Sequence, residues 1–460
     1  NNPYSAYPRK ERIKFTIQVK DDVTGTYVPK TAYLDMIQVR RIENPKGVWR
    51  SAGNSDNFHV TLMRLPYDDA EDFKPFNSEG AWSATIVEGG DDFITLRSTV
   101  EGSGSDNAQQ TGVKSIEGAG EHPIDFWIDF KGTIPEGATP RCAIVRVRYH
   151  NYTCEHDIFV RQGYAPITIN GNAESNNNPA WTSYNVYRFD ANNAPVYTKS
   201  PLEEGSLFRR GNRTAILASN NDRSGFTFGV EPTGSFNVLE FGSATTSQKT
   251  WSQLAPSADD VKSRFASWSI AGDHERIATI EDFYTLESTS IHSNINKAYG
   301  VLYGDGATET QKSVKEAFGY DHNEDPTNSK KGMRGCFVFN VNNSRNIFFP
   351  IGKSGYGRRK GMTSNGEKVG TLRYAQRTDY YNNDGTGNIQ YVPLFYDLFE
   401  RPGAIYQCGN RLESTNNEVK NSSAFDINYF TMGFEGFENG ASNNNNGSDS
   451  DACFIRTVKY

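Results

Sequence analysis

The sequence predicts a mainly β chain in two parts, a β sandwich over residues 1–168 followed by an α+β domain over residues 169–460. Three observations lead there. Short runs of alternating apolar and polar residues recur through the first third with no helical period between them, the pattern of a sandwich. A paired run ends at Gly163 and Pro166, where glycine permits a turn and proline removes a ladder donor, and the texture of the chain then changes to Asn, Gly and aromatics. The whole is 460 residues long, beyond the size at which a single core keeps growing.

Composition narrows the class of function. Its 28 Phe, 24 Tyr and 6 Trp provide enough large apolar surface to build cores in a chain that is otherwise hydrophilic. A net charge of -7, with the charges interspersed, offers no basic stripe, so nucleic acid is not expected as a partner. Nothing approaches the run of about 18 apolar residues needed for a membrane span. The chain opens Asn-Asn-Pro-Tyr, which reads as a matured or trimmed product. Five cysteines, Cys142, Cys154, Cys336, Cys408 and Cys453, lack the spacing of a zinc site. They fit either disulfides plus a thiol in an oxidising compartment or buried thiols elsewhere.

Taken in order, residues 13–19 alternate strictly, with Ile13, Phe15, Ile17 and Val19 on one side, and predict a strand with one buried face. Further strands are expected over 33–39, 58–62, 82–87, 93–96 and 126–130, between Gly, Asn, Asp and Pro punctuation. Residues 101–120 have no periodicity and read equally as a long exposed loop or a flexible insert. Residues 143–149 and 153–161 are β-branched runs joined at His150-Asn151-Tyr152, the pattern of a hairpin. A tight register there sets Cys142 and Cys154 apart, so no bridge between them is expected. The polar connector 173–179 marks the boundary. Beyond it, Ser257, Thr279 and Thr308 are each placed to cap a short helix. Strands return at 336–340, 346–350, 404–408, 424–430 and 453–460, separated by loops at 352–370, 379–390 and 440–451.

Catalytic and metal motifs are wanting. The seven histidines show no spacing that brings two imidazoles to one metal, and the glycines of 352–357 fit neither a nucleophile elbow nor a phosphate loop. Asp321, Glu324 and Asp325 read as a solvated acidic loop. The run 380–388, Tyr-Tyr-Asn-Asn-Asp-Gly-Thr-Gly-Asn, has a different character. Its rings offer faces to the apolar side of a sugar, and its Asn and Asp side chains offer the mixed donors and acceptors that hydroxyls need. The same residues are turn formers, and both readings stand.

The segment 153–166, Thr-Cys-Glu-His-Asp-Ile-Phe-Val-Arg-Gln-Gly-Tyr-Ala-Pro, resembles the segment closing the N-terminal β domain of fimbrial tip and accessory proteins of the Bacteroidales type V pilus system. The second half resembles the FISUMP module (Fibrobacter succinogenes major paralogous domain), whose fold is similar to C-type lectins and to the formylglycine-generating enzyme. Residues 200–211, 276–283, 346–352 with Gly355-Tyr356-Gly357, and 454–459 carry that resemblance in order over the second half of the chain.

The resemblance implies an immunoglobulin-like or transthyretin-like sandwich over 1–168 and a C-type-lectin-like domain over 169–460. It further implies an extracellular, cell-surface fimbrial tip or accessory subunit that mediates adhesion and joins its neighbours by β-strand donation. Its partners would be other fimbrial subunits and a glycan or surface-protein ligand, with no catalysis, cofactor or metal. Tyr356, Tyr380, Tyr381, Asn383, Asp384 and Asn388 are the expected ligand-binding residues. The calcium motifs of sugar-binding lectins and the paired catalytic cysteines of the formylglycine-generating enzyme are absent. The module's usual cysteine pair is missing too, at 269–275 and at 456–458, which makes Cys408 and Cys453 the expected replacement bridge, stabilising by roughly 4 kcal/mol. The alternative, of another class, is a surface glycan-binding protein that enters no filament.

Overall fold

The computed structural model describes residues 9–38, 42–64, 74–99, 110–120, 122–171, 173–209, 211–218, 221, 232–255, 270, 274–286, 294–311, 332–350, 380–383, 389–392, 404–409, 429–432 and 452–460. They are β almost throughout. A five-residue helix, Ile280–Tyr284, and a 3-10 turn, Ser252–Leu254, are the helical elements among them.

One eight-stranded sheet organises the molecule. Its strands lie in the order Ser115–Gly118, Trp82–Gly89, Arg141–Tyr149, Cys154–Gln162, Gly47–Arg50, Ile295–Tyr303, Gly332–Asn340 and Asn346–Pro350. The hairpin read from the sequence is present, with Ala143 opposite Val160 and Tyr149 opposite Cys154. That register leaves Cys142 opposite Arg161, at the far end of the ladder from Cys154. Its turn runs through His150, Asn151 and Tyr152, whose φ angles of 52°, 54° and 65° are all left-handed. Ordinary residues hold such angles only where surroundings fix them. Here the His150 amide donates to Ser78 Oγ at 2.8 Å, the Glu79 amide donates to His150 Nδ1 at 2.8 Å, and the Ala81 amide donates to Asn151 Oδ1 at 3.1 Å.

Gly47–Arg50 is the short strand at the centre, and it is parallel to both neighbours. All four of its residues are buried, because each face of the sheet is covered at this point. On one face Val48 joins a core closed by a three-stranded sheet, Phe58–Thr61, Asp125–Phe130 and Ile94–Ser98, with Phe58, Val60, Phe126, Ile128, Ile94 and Leu96 pointing inward. On the other face Trp49 packs with Ile144, Phe159, Leu302, Phe337 and Phe348. Gly47 is required by a close approach, since a Cβ there would lie 2.4 Å from the Phe337 ring.

The large sheet takes strands from both sides of the expected division at 168. Strands Gly47–Arg50, Trp82–Gly89, Arg141–Tyr149 and Cys154–Gln162 hydrogen-bond in one sheet with Ile295–Tyr303, Gly332–Asn340 and Asn346–Pro350, and Val301, Tyr303 and Ala307 enter the first core. Two buried arginines fasten the same seam. Arg50 donates to the carbonyls of Gly304 and Ala307, both at 2.7 Å. Arg161, stacked on Trp49 at 4.5 Å, donates to Asn346 O at 2.9 Å, Ala165 O at 2.7 Å and Ser183 Oγ at 2.8 Å. The guanidinium suits this task because its five N–H groups form a rigid fork that meets several acceptors at once.

A second core gathers Trp181, Leu207, Ile216, Phe236, Phe283, Val338, Phe349, Tyr406, Phe454 and Val458 around the C-terminal end of the large sheet. Of the three expected helix starts, Thr279 caps the helix Ile280–Tyr284 in a full capping box with Asp282. Ser257 lies outside the described residues. Thr308 overturns its expectation: residues 308–310 run extended along Phe58–Thr61, with the His59 amide donating to Thr308 O at 2.8 Å and the Thr310 amide to His59 O at 3.0 Å. Partnering an open strand edge there satisfies backbone groups that a helix end would have left to water.

Candidate functional site

The most unusual surface is at the start of the chain. Strands β1 (Arg9–Lys20) and β2 (Tyr27–Gln38) pair along their full twelve residues as a two-stranded sheet that no other strand joins among the described residues. The alternation at 13–19 does make a strand, but its expected burial is wrong. Ile13, Phe15, Ile17 and Val19 are 40%, 49%, 63% and 38% exposed, and Leu34, the partner of Ile13, is 50% exposed. A ribbon of two strands has no third layer to cover either face. Eight of the thirteen large hydrophobic side chains exposed among the described residues lie between Ile13 and Leu34.

Register assigns the ribbon two distinct faces. Residues paired across an antiparallel ladder share a face, so Glu11, Ile13, Phe15, Ile17 and Val19 stand with Val28, Lys30, Ala32 and Leu34. The opposite face carries Arg12, Lys14, Thr16, Gln18 and Lys20 with Tyr27, Pro29, Thr31 and Tyr33. On that polar face Thr16 Oγ1 and Thr31 Oγ1 lie 3.4 Å apart and the Arg12 guanidinium sits 5.5 Å from the Tyr33 ring centre. The tip is held by Asp21, whose carboxylate accepts from the Val23 amide at 3.0 Å and from the Thr24 amide and hydroxyl at 2.7 and 3.0 Å. The Thr24 amide bond, then its hydroxyl, hold that carboxyl below its ordinary pKa. Gly25, at φ 68°, takes the left-handed position of this turn.

The ligand residues expected from sequence fall mostly elsewhere. Tyr380, Tyr381 and Asn383 lie on the strand Tyr380–Asn383, paired with Ile389–Val392 so that Tyr381 is opposite Tyr391 and Asn383 opposite Ile389. Tyr356, Asp384 and Asn388 lie outside the described residues. Cys408 and Cys453 are both buried, and Tyr406 bridges in parallel to Phe454. That pairing brings the two cysteines to neighbouring segments, three residues out of step.

No protein-family model and no curated protein matches this chain.

Two polar clusters complete the described surface. On the outer face of the three-stranded sheet the rings of His59 and Trp127 stack at 4.5 Å and 10°, and Arg97 covers the other side of the indole at 4.6 Å. His59 pairs with Asp125, and Arg97 makes two bonds to Asp129 at 2.8 and 2.9 Å. With both indole faces occupied, this row is a cross-strand brace rather than a stacking platform. In the second cluster Glu275 takes bonds from Tyr197 and Thr457, and burial raises its carboxyl pKa. Among the described residues no group of three His, Cys, Asp or Glu is placed to hold a metal ion, and no helix is long and apolar enough to cross a membrane. Sequence reasoning found the strand at 13–19 but missed its role, because alternation reports an amphipathic strand and not what covers it. A signal was available: the partner run 27–38 is separated from it by the polar turn Asp21-Asp22-Val23-Thr24-Gly25-Thr26, which marks a self-contained hairpin.

Proposed function

We propose that this chain is a cell-surface fimbrial tip or accessory subunit that mediates adhesion and joins its neighbours by β-strand complementation. The observation that carries the reading is the β1–β2 ribbon, to whose outer edges no further strand is paired among the described residues. Such an edge is a template for a strand from another subunit, with main-chain bonds supplying affinity and alternate side chains supplying choice of partner. The mainly β architecture and the resemblance of residues 153–166 agree with it. Immunogold labelling and mass spectrometry of isolated surface filaments test the reading. The chain is expected within the filament or at its tip, and the signal is expected to vanish when residues 9–38 are deleted. Filaments that never contain the chain would refute it.

The second reading, a glycan-binding surface protein outside any filament, rests on the Tyr380–Asn383 hairpin, where Tyr381 and Tyr391 are direct cross-strand partners. A glycan array comparing the parent with Tyr380→Ala and Asp384→Ala decides it. Glycan binding lost in both variants, in a protein absent from filaments, would replace the first reading with the second.

A further inference from the structure

We propose that the apolar face of the β1–β2 ribbon pairs two copies of this chain, face to face. The inference concerns side chains on a sheet face and stands whether or not the chain enters a filament through its strand edges.

Charge selects the occupant. The ribbon, residues 9–38, carries six basic residues against four acidic, yet by register its apolar face holds three charged positions, Arg9 and Glu11 at one end and Lys30 beside Ile17. Arg12, Lys14 and Lys20 all stand on the other face. Two copies pressed together along the apolar face thus keep Arg12, Lys14 and Lys20 outward in water, with the stem of Lys30 in the contact and its ammonium reaching past the strand edge to the wet rim. A lipid bilayer fits less well, because Lys30 in the middle of the face would be driven into hydrocarbon, where a lysine is strongly unfavourable.

Area agrees with that choice. Ile13, Phe15, Ile17, Val19 and Leu34, at 38–63% exposure, leave on the order of 400 Å² of apolar surface on one face, at the size where a monomer's patch usually marks an interaction site. Covering it with a second copy, and taking in the stem of Lys30 and the smaller Val28 and Ala32, removes on the order of 1,000 Å² in total, the threshold of a specific interface. Two such faces form a four-stranded sandwich with sheets about 10 Å apart, the arrangement in which an antiparallel ribbon covers one face and leaves the other to solvent. An interface of this size falls at the small end of specific contacts, where associations are transient rather than permanent.

Sedimentation equilibrium of the purified full chain, with no other protein present, tests the proposal between about 1 and 100 μM, a range that brackets the affinity expected of so small an interface. The parent is expected to pass from monomer to dimer. Phe15→Glu, opposite Ala32 and so away from the Lys30 ammonium, is expected to weaken dimerisation at least tenfold, since each copy would then bring an unpaired charge into the apolar contact, whereas Thr31→Glu on the opposite face leaves it unchanged. Equal far-ultraviolet circular dichroism of the three proteins establishes that only association differs. A parent that stays monomeric throughout, or a Phe15→Glu variant that dimerises like the parent, would overturn the proposal. So would a monomeric parent that co-sediments with phosphatidylcholine vesicles through the same face, which would assign it to a membrane. Because filaments play no part in the assay, its failure and the failure of the fimbrial reading are distinguishable.

Discussion

Acid should loosen this protein through one buried histidine, and the size of the effect follows from its surroundings. His156 sits on the hairpin strand Cys154–Gln162, 5% exposed, with its Nε2–H donating to the Pro45 carbonyl. Burial first, and the nearby Lys46 ammonium second, push its pKa down to about 3, against the partial support of the Pro45 bond. The unfolded chain takes up this proton near its ordinary value of about 6.5, so between those two values unfolding is coupled to protonation and stability falls as the pH falls. At 1.36 kcal/mol per pH unit the loss relative to pH 7 is about 2 kcal/mol at pH 5 and about 3 kcal/mol at pH 4. Acid acts on the rest of the chain as well, so the measurement has to be a difference. His156→Gln keeps an N–H donor and removes the titration. Urea unfolding at pH 7, 5 and 4, followed by tryptophan fluorescence, should show the parent losing about 2 and then about 3 kcal/mol more than the variant. Equal losses in the two proteins would refute the reasoning, because the histidine would then not be buried in its neutral form.

Other perturbations address the seam and the caps. Gly47→Val should destabilise by about 1–3 kcal/mol, because its Cβ meets the Phe337 ring at 2.4 Å, while Gly53→Ala, with nothing within 4 Å, should be neutral or slightly stabilising; denaturant midpoints separate them. Arg161→Lys should cost about 2 kcal/mol or more in the same assay, since one ammonium cannot reach Gly163 O, Ala165 O, Asn346 O and Ser183 Oγ together and leaves buried acceptors unpaired. Thr279→Ala removes the cap bond to the Asp282 amide and should cost about 1 kcal/mol, read as a lower urea midpoint, with Thr279→Ser restoring most of it.

Local order was legible in the sequence wherever alternation and punctuation agreed. The hairpin 143–161 and the strands around Phe58, Trp82, Phe126, Phe337 and Phe348 all follow from residues within a few positions of one another. What was not legible depends on partners distant in the chain. Thr308 has the chemistry of a helix cap, but the open edge of Phe58–Thr61 claims its segment as an extended partner. The alternating face of β1 looks like a core face, and the exposure of Ile13, Phe15, Ile17 and Val19 shows that it is not. The strand Gly47–Arg50 is too short to announce itself, and its importance comes from two parallel neighbours, one about 110 and the other about 250 residues further along. Of the expected ligand residues, the sequence offered a plausible set of side chains, and the register of Tyr380–Asn383 with Ile389–Val392 now fixes the backbone on which three of them stand.

That short parallel strand also sets a timetable. During synthesis at about 5–20 residues per second, residues 47–50 leave the ribosome roughly 10–50 s before Leu302 and Tyr303, the partners of Gly47 and Val48, have been made. Until then one edge of the nascent sheet stays open, and Arg50 waits for the carbonyls of Gly304 and Ala307 with its charge in a half-built core. A ribosome stalled shortly after residue 168 would therefore carry an adhesive intermediate rather than a finished unit, and the chain's yield in the cell should depend on what shields that edge through the interval.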